Sequence, residues 1–462
     1  MTEFSRLTLI DPLQHALAEV GYTQMTPVQA ASLPAILEGR DVVAQARTGS
    51  GKTAAFALGL LSTLDATAVR LQGLVLCPTR ELADQVSKEI RRLARFIPNV
   101  KVLTLCGGVP LRPHLASLEH EPHIVVGTPG RILELIEKDV LPLTGVKVLV
   151  LDEADRMLDM GFTEDLGSIV EKTPPQRQTL LFSATIPQSI REISRRLQRK
   201  PLDVTVDDDP GAVAAIEQTF FEVDADRKLE ALESLLLEYR PESAVVFCNT
   251  RQDVRFVAEA LAQRDFSVLA LHGELDQRER EEMLVRFANR SCTVLVASDV
   301  AARGLDIADL AMVINFDIAS DADTHLHRIG RTGRAGRRGV ALSLCSPREL
   351  GRANIIEDRL GERLKWGKLP ALSASSIDAT PLIAPFVTLA VDAGRKDKLR
   401  PGDVLGALTG EAGLAATAVG KIDVFPTRTY VAIARELHDK AMQRLRAGKI
   451  KGRTIRIRLI GG

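Results

Sequence analysis

The stretch Ala44-Gln-Ala-Arg-Thr-Gly-Ser-Gly-Lys-Thr53 holds the residue types that bind a polyphosphate. It follows a short apolar run, Asp41-Val-Val-Ala44, and opens a predicted helix over Ala54–Leu64. Glycines at 49 and 51 let backbone N–H groups converge on phosphate oxygens, at a helix N-terminus whose dipole favours an anion. Lys52 would reach the β- and γ-phosphates of a nucleoside triphosphate, and the Thr53 hydroxyl would ligate Mg2+. Ala46, Arg47, Thr48, Gly49, Ser50 and Gly51 complete the nucleotide-binding loop; Ala46 stands where the usual pattern has glycine, so the strand–loop–helix context carries the assignment. Further on, the apolar run Val146–Leu151 ends in Asp152-Glu153-Ala154-Asp155. Carboxylates at the C-terminal end of a parallel strand sit where open α/β sheets bind ligands. Asp152 fits the Mg2+ side, largely through water, and Glu153 fits the group that orients or deprotonates an attacking water.

A second cluster lies far downstream, in His327-Arg-Ile-Gly-Arg-Thr-Gly-Arg-Ala-Gly-Arg-Arg-Gly339. Arginine forks beside flexible backbone suit a transferring phosphoryl group, where an arginine from a second body is worth roughly 10³–10⁵ in rate. One half would then hold the nucleotide, and the other would complete the site when the two close together. The alternative is a basic surface or RNA-contacting loop. A metal site at His325 and His327 lacks an evident third ligand.

The elements that must position these groups show an internal duplication. Leu-Val-Leu-Cys-Pro-Thr-Arg (74–80) matches Val-Val-Phe-Cys-Asn-Thr-Arg (245–251), His-Ile-Val-Val-Gly-Thr (123–128) matches Thr-Val-Leu-Val-Ala-Ser (293–298), and Leu-Thr-Leu-Cys-Gly (103–107) matches Leu-Ala-Leu-His-Gly (269–273). Each is a nearly continuous apolar run, as parallel strands buried on both faces require. Helical-period segments such as Glu81–Phe96 and Asp253–Arg264 separate them, which predicts two consecutive α/β domains with parallel sheets. The duplicate lacks a glycine loop at the equivalent place, where Phe220–Glu230 reads FFEVDADRKLE. Seams are expected at Asp207–Ala214 and at Gly367–Ala384, giving domains over 1–207, 215–366 and 385–462. The last of these reads strand (Val387–Val391), helix (Asp403–Thr409), strands (Ile422–Phe425 and Thr429–Ile433), helix (Arg435–Arg446), strand (Thr454–Ile460), a small α+β βαββαβ order.

The 60 Lys+Arg and 60 Asp+Glu among 462 residues cancel, but not evenly along the chain. Residues 393–462 hold 15 basic and 6 acidic residues, leaving 45 and 54 for the rest. From Arg444 to Arg458 no acidic residue occurs, which suits either a solvated face or a nucleic-acid contact. Lys449, Lys451, Arg453, Arg456 and Arg458 are the candidate RNA contacts in this run. Five cysteines without a C-x-x-C pair exclude a disulfide scaffold and the common structural zinc sites. The N-terminus has no secretory-signal pattern and no run approaches a bilayer span, so a cytoplasmic protein is expected.

Taken in order, these motifs resemble the DEAD-box RNA helicases of superfamily 2 over the whole region 1–345. The resemblance implies two RecA-like domains, ATP and Mg2+ as cofactors, and an RNA-stimulated ATPase that unwinds short RNA duplexes. It implies that Gln29 in Gly21-Tyr-Thr-Gln-Met-Thr-Pro-Val-Gln29 reads adenine, with Phe4 as the upstream aromatic. Pro78-Thr79-Arg80, Gly107-Gly108 and Thr128-Pro-Gly-Arg131 resemble motifs that line the RNA backbone, as do Thr250 and Arg280 in the second half. Ser183-Ala-Thr185 resembles the triplet that couples hydrolysis to strand separation. Ser298–Asp306 resembles a motif that places Gly304 and Asp306 at RNA and ribose. Arg331 and Arg334 fall at the family's finger positions. Ser298 replaces the commoner Thr, and Met25 stands where the family often has Pro. The basic C-terminal module resembles that of a bacterial subgroup, implying an RRM-like domain that directs the enzyme to 23S ribosomal RNA and precursor large ribosomal subunits in 50S assembly; nothing in the sequence demands more than a monomer. Such a module usually stacks bases on central-strand aromatics, and here Tyr430 is the one offered. An ATP-gated RNA clamp, or a DNA translocase of the same superfamily, would carry related motifs.

Overall fold

The computed structural model describes residues 3–46, 49–206, 216–299, 310–333, 338–370, 382–410 and 413–460. The chain divides into two compact units, the first built on the N-terminal sheet and the second holding two later sheets.

The first sheet contains β1 (Val42–Gln45), β2 (Gly73–Leu76), β3 (Val102–Leu105), β4 (Ile124–Gly127), β5 (Val148–Asp152), β6 (Gln178–Ser183) and β7 (Leu202–Thr205), in the order β3-β4-β2-β5-β6-β1-β7. Every pairing is parallel. Its apolar runs are unbroken because both faces are covered. Ala44, Val75, Val126, Val150 and Phe182 enter one core, while Val43, Leu74, Val125, Leu149 and Leu181 enter the other. Helix Lys52–Ser62 is buried along almost its whole length, so its first turn is held rigidly at the sheet's C-terminal edge.

The second sheet contains β8 (Ile216–Glu222), β9 (Ala244–Cys248), β10 (Val268–Leu271), β11 (Val294–Ser298), β12 (Met312–Asn315), β13 (Gly339–Cys345) and β14 (Trp366–Gly367), in the order β10-β11-β9-β12-β13-β8-β14. Strand for strand this repeats the first sheet, and the three duplicated segments fall on β2/β9, β4/β11 and β3/β10. The parallel sheets are two RecA-like folds.

The third sheet contains β15 (Phe386–Val391), β16 (Val419–Val424), β17 (Thr429–Ala434) and β18 (Ile457–Ile460), antiparallel, in the order β16-β17-β15-β18. Helices Pro401–Thr409 and His438–Ala447 cover the face carrying Val387, Leu389, Val391, Val431 and Ile433. The βαββαβ order therefore holds, with shifted ends. β16 begins at Val419 and absorbs an irregularity before Ile422. β18 begins only at Ile457, because Lys451 and Gly452 turn the chain with positive φ and Ile450 bridges Arg453. Gly367, expected in a seam, is paired with Phe221 at the edge of the second sheet, and Leu382 packs into that sheet's core. The seam 207–214 lies outside the described residues. Among the described residues no helix is long and apolar enough to cross a membrane.

Candidate active site

The strand order of the first sheet sorts its loops into two groups along one edge. β1, β5 and β6 are neighbours or next neighbours and carry the phosphate loop, Asp152 and Ser183 at their C-terminal ends. β2, β4 and β3 lie together on the other side and lead into Thr79, Thr128 and Gly107–Gly108.

In the first group, Gly49 and Gly51 take φ of 86° and 89°, and Gly51 caps helix Lys52–Ser62. A Cβ on Gly51 would lie 2.5 Å from the Gln29 amide nitrogen, so close approach as well as φ demands glycine. The Gln29 amide is clamped at both ends: Oε1 accepts from the Thr26 N–H (2.8 Å) and Nε2 donates to the Gly51 carbonyl (2.9 Å). One N–H and one lone pair are left for a ligand. Phe4 is buried, with its ring stacked on Tyr22 at 6.4 Å between centroids, so most of its surface is already covered by protein. Ala46 donates to the Ser183 carbonyl (2.8 Å), tying the loop to β6.

Lys52 is 3% exposed and Asp152 0%. The ammonium lies 3.0 Å from Asp152 Oδ1 and 3.9 Å from Glu153 Oε1. Apart from these ion pairs, neither the Lys52 ammonium nor either Asp152 oxygen finds a hydrogen-bond partner among the described residues. The Ser50 hydroxyl is also buried without one. Burial would depress the lysine, but the charges of Asp152 and Glu153 outweigh it and hold the ammonium above its ordinary value. Burial pushes the Asp152 carboxyl up, Lys52 lowers it, and Glu153 raises it again, leaving it above the usual carboxylate range. A dry site with unsatisfied opposite charges fits a triphosphate carrying a divalent cation, each charge of which would complete one of these groups.

Glu153 holds a left-handed backbone, φ 54°, ψ 54°, where helix Ala154–Asp159 begins. A non-glycine residue in that region stores strain, which clusters at functional sites. Arg156, which no sequence signal marked, is buried and approaches Glu153 Oε2 at 3.5 Å. Ser183 and Thr185 both meet Asp155: the Asp155 N–H donates to Ser183 Oγ (3.1 Å), while Thr185 donates from N–H and hydroxyl to Asp155 Oδ2 (3.0 Å each). The triplet thus touches both the acidic turn and the phosphate loop.

In the second group, Thr79 Oγ1 accepts from Leu82 N–H and caps helix Arg80–Leu93, and Thr128 Oγ1 accepts from Gly107 N–H (3.1 Å). Gly108 has φ 73°, and a Cβ there would meet the Arg80 guanidinium at 2.7 Å, so Arg80 lies across that loop. Arg131 is buried, donating to the Val109 carbonyl (2.8 Å), touching His114 Nδ1 (2.7 Å) and pairing with Glu134 (3.0 Å). It braces the loop around Gly107–Gly108 from beneath. In the second sheet Thr250 caps helix Arg251–Ala262 as Thr79 caps its counterpart, and Arg280 lies in the first turn of helix Gln277–Ala288. Arg331 is buried just after helix Ala322–Ile329. Arg328, not singled out by sequence, is 1% exposed and forks onto Asp299 (2.7 Å twice), with further bonds to Asn249 and the Asp317 carbonyl (2.7 Å each). Arg47, Thr48, Gly304, Asp306 and Arg334 lie outside the described residues.

The comparisons with known proteins agree with this geometry. Residues 26–193 match the family described as DEAD/DEAH box helicase, 227–336 the helicase conserved C-terminal domain, and 388–459 the DbpA RNA binding domain. The chain is 54% identical over 461 residues to the ATP-dependent RNA helicase DbpA of Escherichia coli, covering 100% of both. This chain belongs to the DEAD-box family of ATP-dependent RNA helicases. It is an ATP-hydrolysing, RNA-binding enzyme. The DEAD-box helicase CshA of Bacillus cereus is 42% identical over 384 residues, covering 83% of this chain and 73% of the relative. Among solved structures, S. cerevisiae Dbp5 bound to RNA and ADP BeF3 has 27% identity and a TM-score of 0.72, covering 80% of this chain and 96% of that one. Mss116p bound to ssRNA and AMP-PNP has 29% identity and a TM-score of 0.71, covering 79% and 78%.

In the C-terminal module of this DEAD-box enzyme, two residues of one sheet face are engaged by the protein itself. Tyr430 is 2% exposed, and Arg458 sets its guanidinium 2.6 Å from Glu282 of helix Gln277–Ala288. Both are engaged within the protein, so the sheet face they share is not an open stacking platform. Arg458 is held by this ion pair while its side chain stays 30% exposed. Lys449, Lys451, Arg453 and Arg456 remain exposed. Lys449 lines a cleft of ≈ 580 Å³ with Lys440 and Arg444, and the other three line one of ≈ 370 Å³ with Lys398.

Proposed function

We propose that this helicase hydrolyses ATP with Mg2+ to separate short RNA duplexes beside a site on 23S ribosomal RNA held by its C-terminal module, acting as a cytoplasmic monomer on precursor large ribosomal subunits. What supports the reading is the C-terminal module itself: it matches the DbpA RNA binding domain and holds 15 basic against 6 acidic residues over 393–462 in a chain whose charges cancel overall. The functional domains would be 1–207 for ATP, 215–366 for the helicase C-terminal part, and 385–462 for target RNA.

Gln29 holds the base through its remaining N–H and lone pair, with Phe4 beneath it. Lys52 and the backbone of residues 46–51, Arg47 and Thr48 included, hold the phosphates. Thr53 and Asp152 would hold the cation largely through water, where it would neutralise phosphate charge. Glu153 fixes the attacking water and accepts its proton, its carboxylate aimed by the strained turn and by Arg156. Arg331 and Arg334 supply positive charge to the transferring phosphoryl group, worth roughly 10³–10⁵ in rate. Gly304 and Asp306 contact the ribose and the RNA. Thr79, Arg80, Gly108, Thr128, Arg131, Thr250 and Arg280 grip or brace sugar and phosphate, which gives low sequence preference in the core. Ser183 and Thr185 relay the state of the acidic turn to the phosphate loop. Lys449, Lys451, Arg453 and Arg456 contact the target RNA.

The test is strand displacement of a short duplex with and without an adjoining 23S-derived hairpin, for the full chain and for a protein lacking 385–462. The full chain should prefer the hairpin-linked duplex, and the deletion should lose that preference while keeping ATPase stimulated by arbitrary RNA. A preference that survives deletion refutes the targeting role. ATP turnover without displacement favours the ATP-gated RNA clamp. Glu153→Gln should retain ATP and RNA binding and lose turnover.

A further inference from the structure

Helix Gln277–Ala288 turns one stripe toward the C-terminal sheet. Glu282, Val285 and Asn289 recur at three and four residues, the spacing of one helix face. Opposite them lies the sheet face that the module's own helices leave uncovered. Ala390 is paired across the sheet with Tyr430 on one side and Arg458 on the other, and Thr388 with Ile460, so these side chains share that face. Val285 packs with Ala390, Tyr430 and Ile460. Ser291 and Thr388 exchange a buried hydrogen bond of 2.7 Å.

Glu282 is the charged centre of this contact. Its Oε1 accepts from Arg458 (2.6 Å), lies 3.3 Å from Arg428, and is 3.5 Å from both Arg278 and the Tyr430 hydroxyl. Burial alone would raise this carboxyl, but the hydrogen bond and charge of Arg458, with Arg278, hold it below the ordinary glutamate value. The group is therefore an anion among cations from two bodies. Leu382, in the second sheet's core, and Thr388 anchor one end of the module. Glu282 lies seven residues back from Asn289 on the helix, about 10 Å away, where a contact opposes swinging about that anchor.

We propose that Glu282 is a positioning residue, a latch that holds the C-terminal module on the helix whose first turn carries Arg280, so that module-held RNA and the core-bound strand keep one spacing. This rests on the reading of Arg280 and of the module as RNA contacts. Arg280 and Glu282 are two residues apart on one helix, so nothing flexible intervenes between the latch and the core's RNA-side turn. Duplexes at one distance from the module-held element are then favoured over nearer or farther ones.

The experiment uses the full chain, spin-labelled at Phe256→Cys and Leu405→Cys; both sites are exposed and the native cysteines are all buried. Without further substitution the label pair should give one narrow distance. Glu282→Arg, which faces three arginines, should broaden it, and Glu282→Arg with Arg458→Glu should narrow it again. In parallel, displacement is measured on duplexes set at graded spacer lengths from a 23S-derived hairpin. The latched protein should show a sharp optimum, and Glu282→Arg should flatten it by at least fivefold while ATPase stimulated by arbitrary RNA stays within twofold. An unchanged distance in Glu282→Arg, a broadening that the charge swap does not reverse, or an unaltered spacer profile in a protein with broadened distance overturns the latch. If the hairpin confers no preference in the unsubstituted protein, the targeting function fails instead, and the label distances still decide the latch.

Discussion

Lys52 and Lys228 occupy the same place in two sheets of the same strand order. Each opens the helix that follows the equivalent strand, β1 or β8, and each meets an acid at the end of the equivalent partner strand, β5 or β12. Lys228 is satisfied internally: it donates to the Phe316 carbonyl (2.7 Å) and Glu349 (2.7 Å), and lies 3.3 Å from Asp317. Lys52 has its acidic neighbours and no hydrogen bond beyond those ion pairs among the described residues. A buried charge is costly unless paired and hydrogen-bonded. The second body meets that cost from its own groups, whereas the first, among its described residues, leaves part of it unmet, as the proposed ATP site would require. Duplicated architecture thus yields one proposed binding site and one structural ion network, and the distinguishing mark is which charge is left wanting.

The comparison breaks or holds at four places. The largest effect belongs to Lys52→Gln, which should lower ATP turnover by about 10²–10³-fold, the scale for losing one preorganised charge-stabilising donor. Nucleotide-free stability should fall less than when Lys228 is removed, because Lys52 gives up its ion pairs with Asp152 and Glu153 but no further hydrogen bond among the described residues. Urea denaturation of the ligand-free protein checks this, and a loss as large as that for Lys228 would erase the contrast.

Lys228→Met comes next and should do the reverse. It strands Asp317 and Glu349 without their counter-charge, destabilising the second body by roughly 3–5 kcal/mol. Turnover per folded molecule should stay near normal in a coupled ATPase assay below the unfolding transition.

Gly51→Ala should weaken ATP binding about tenfold in a nucleotide titration, given about 1–2 kcal/mol of left-handed strain and the clash with Gln29. The topologically matching residue, Arg227, caps helix Lys228–Tyr239 without such constraint; Arg227→Ala should stay within about 0.5 kcal/mol. Smallest and most alike should be Thr79→Val and Thr250→Val. Each removes a helix cap worth roughly 0.5–2 kcal/mol, and thermal melts that separate them widely would show that the duplicated turns are not equivalent.

Much of this was legible in the residues. A strand covered on both faces needs apolar side chains at every position, so Leu74–Leu76 and Val245–Phe247 announce themselves without any knowledge of their neighbours. The left-handed turns at Gly49 and Gly51 are likewise local, since a missing Cβ is what allows them. Alternation in the last strand places Arg458 on the polar face of its sheet, but alternation reports only which face a residue shares. It does not report what covers that face, and Glu282, 176 residues earlier in the chain, covers it. By sequence Lys228 is one more cation in FFEVDADRKLE, and Arg328 one more arginine in a basic run, although both are buried and fully engaged.

The division has a physical basis. Backbone conformation, helix capping and apolar periodicity depend on a residue and its near neighbours along the chain, so strand order class, the phosphate loop and the acidic turn can be read from composition and spacing. The state of a buried charge depends on groups brought together from distant segments. Whether Lys52 awaits a ligand, whether Lys228 is already satisfied, and whether Arg458 faces RNA or Glu282 are matters of desolvation and pairing, and these exist only once the chain has folded.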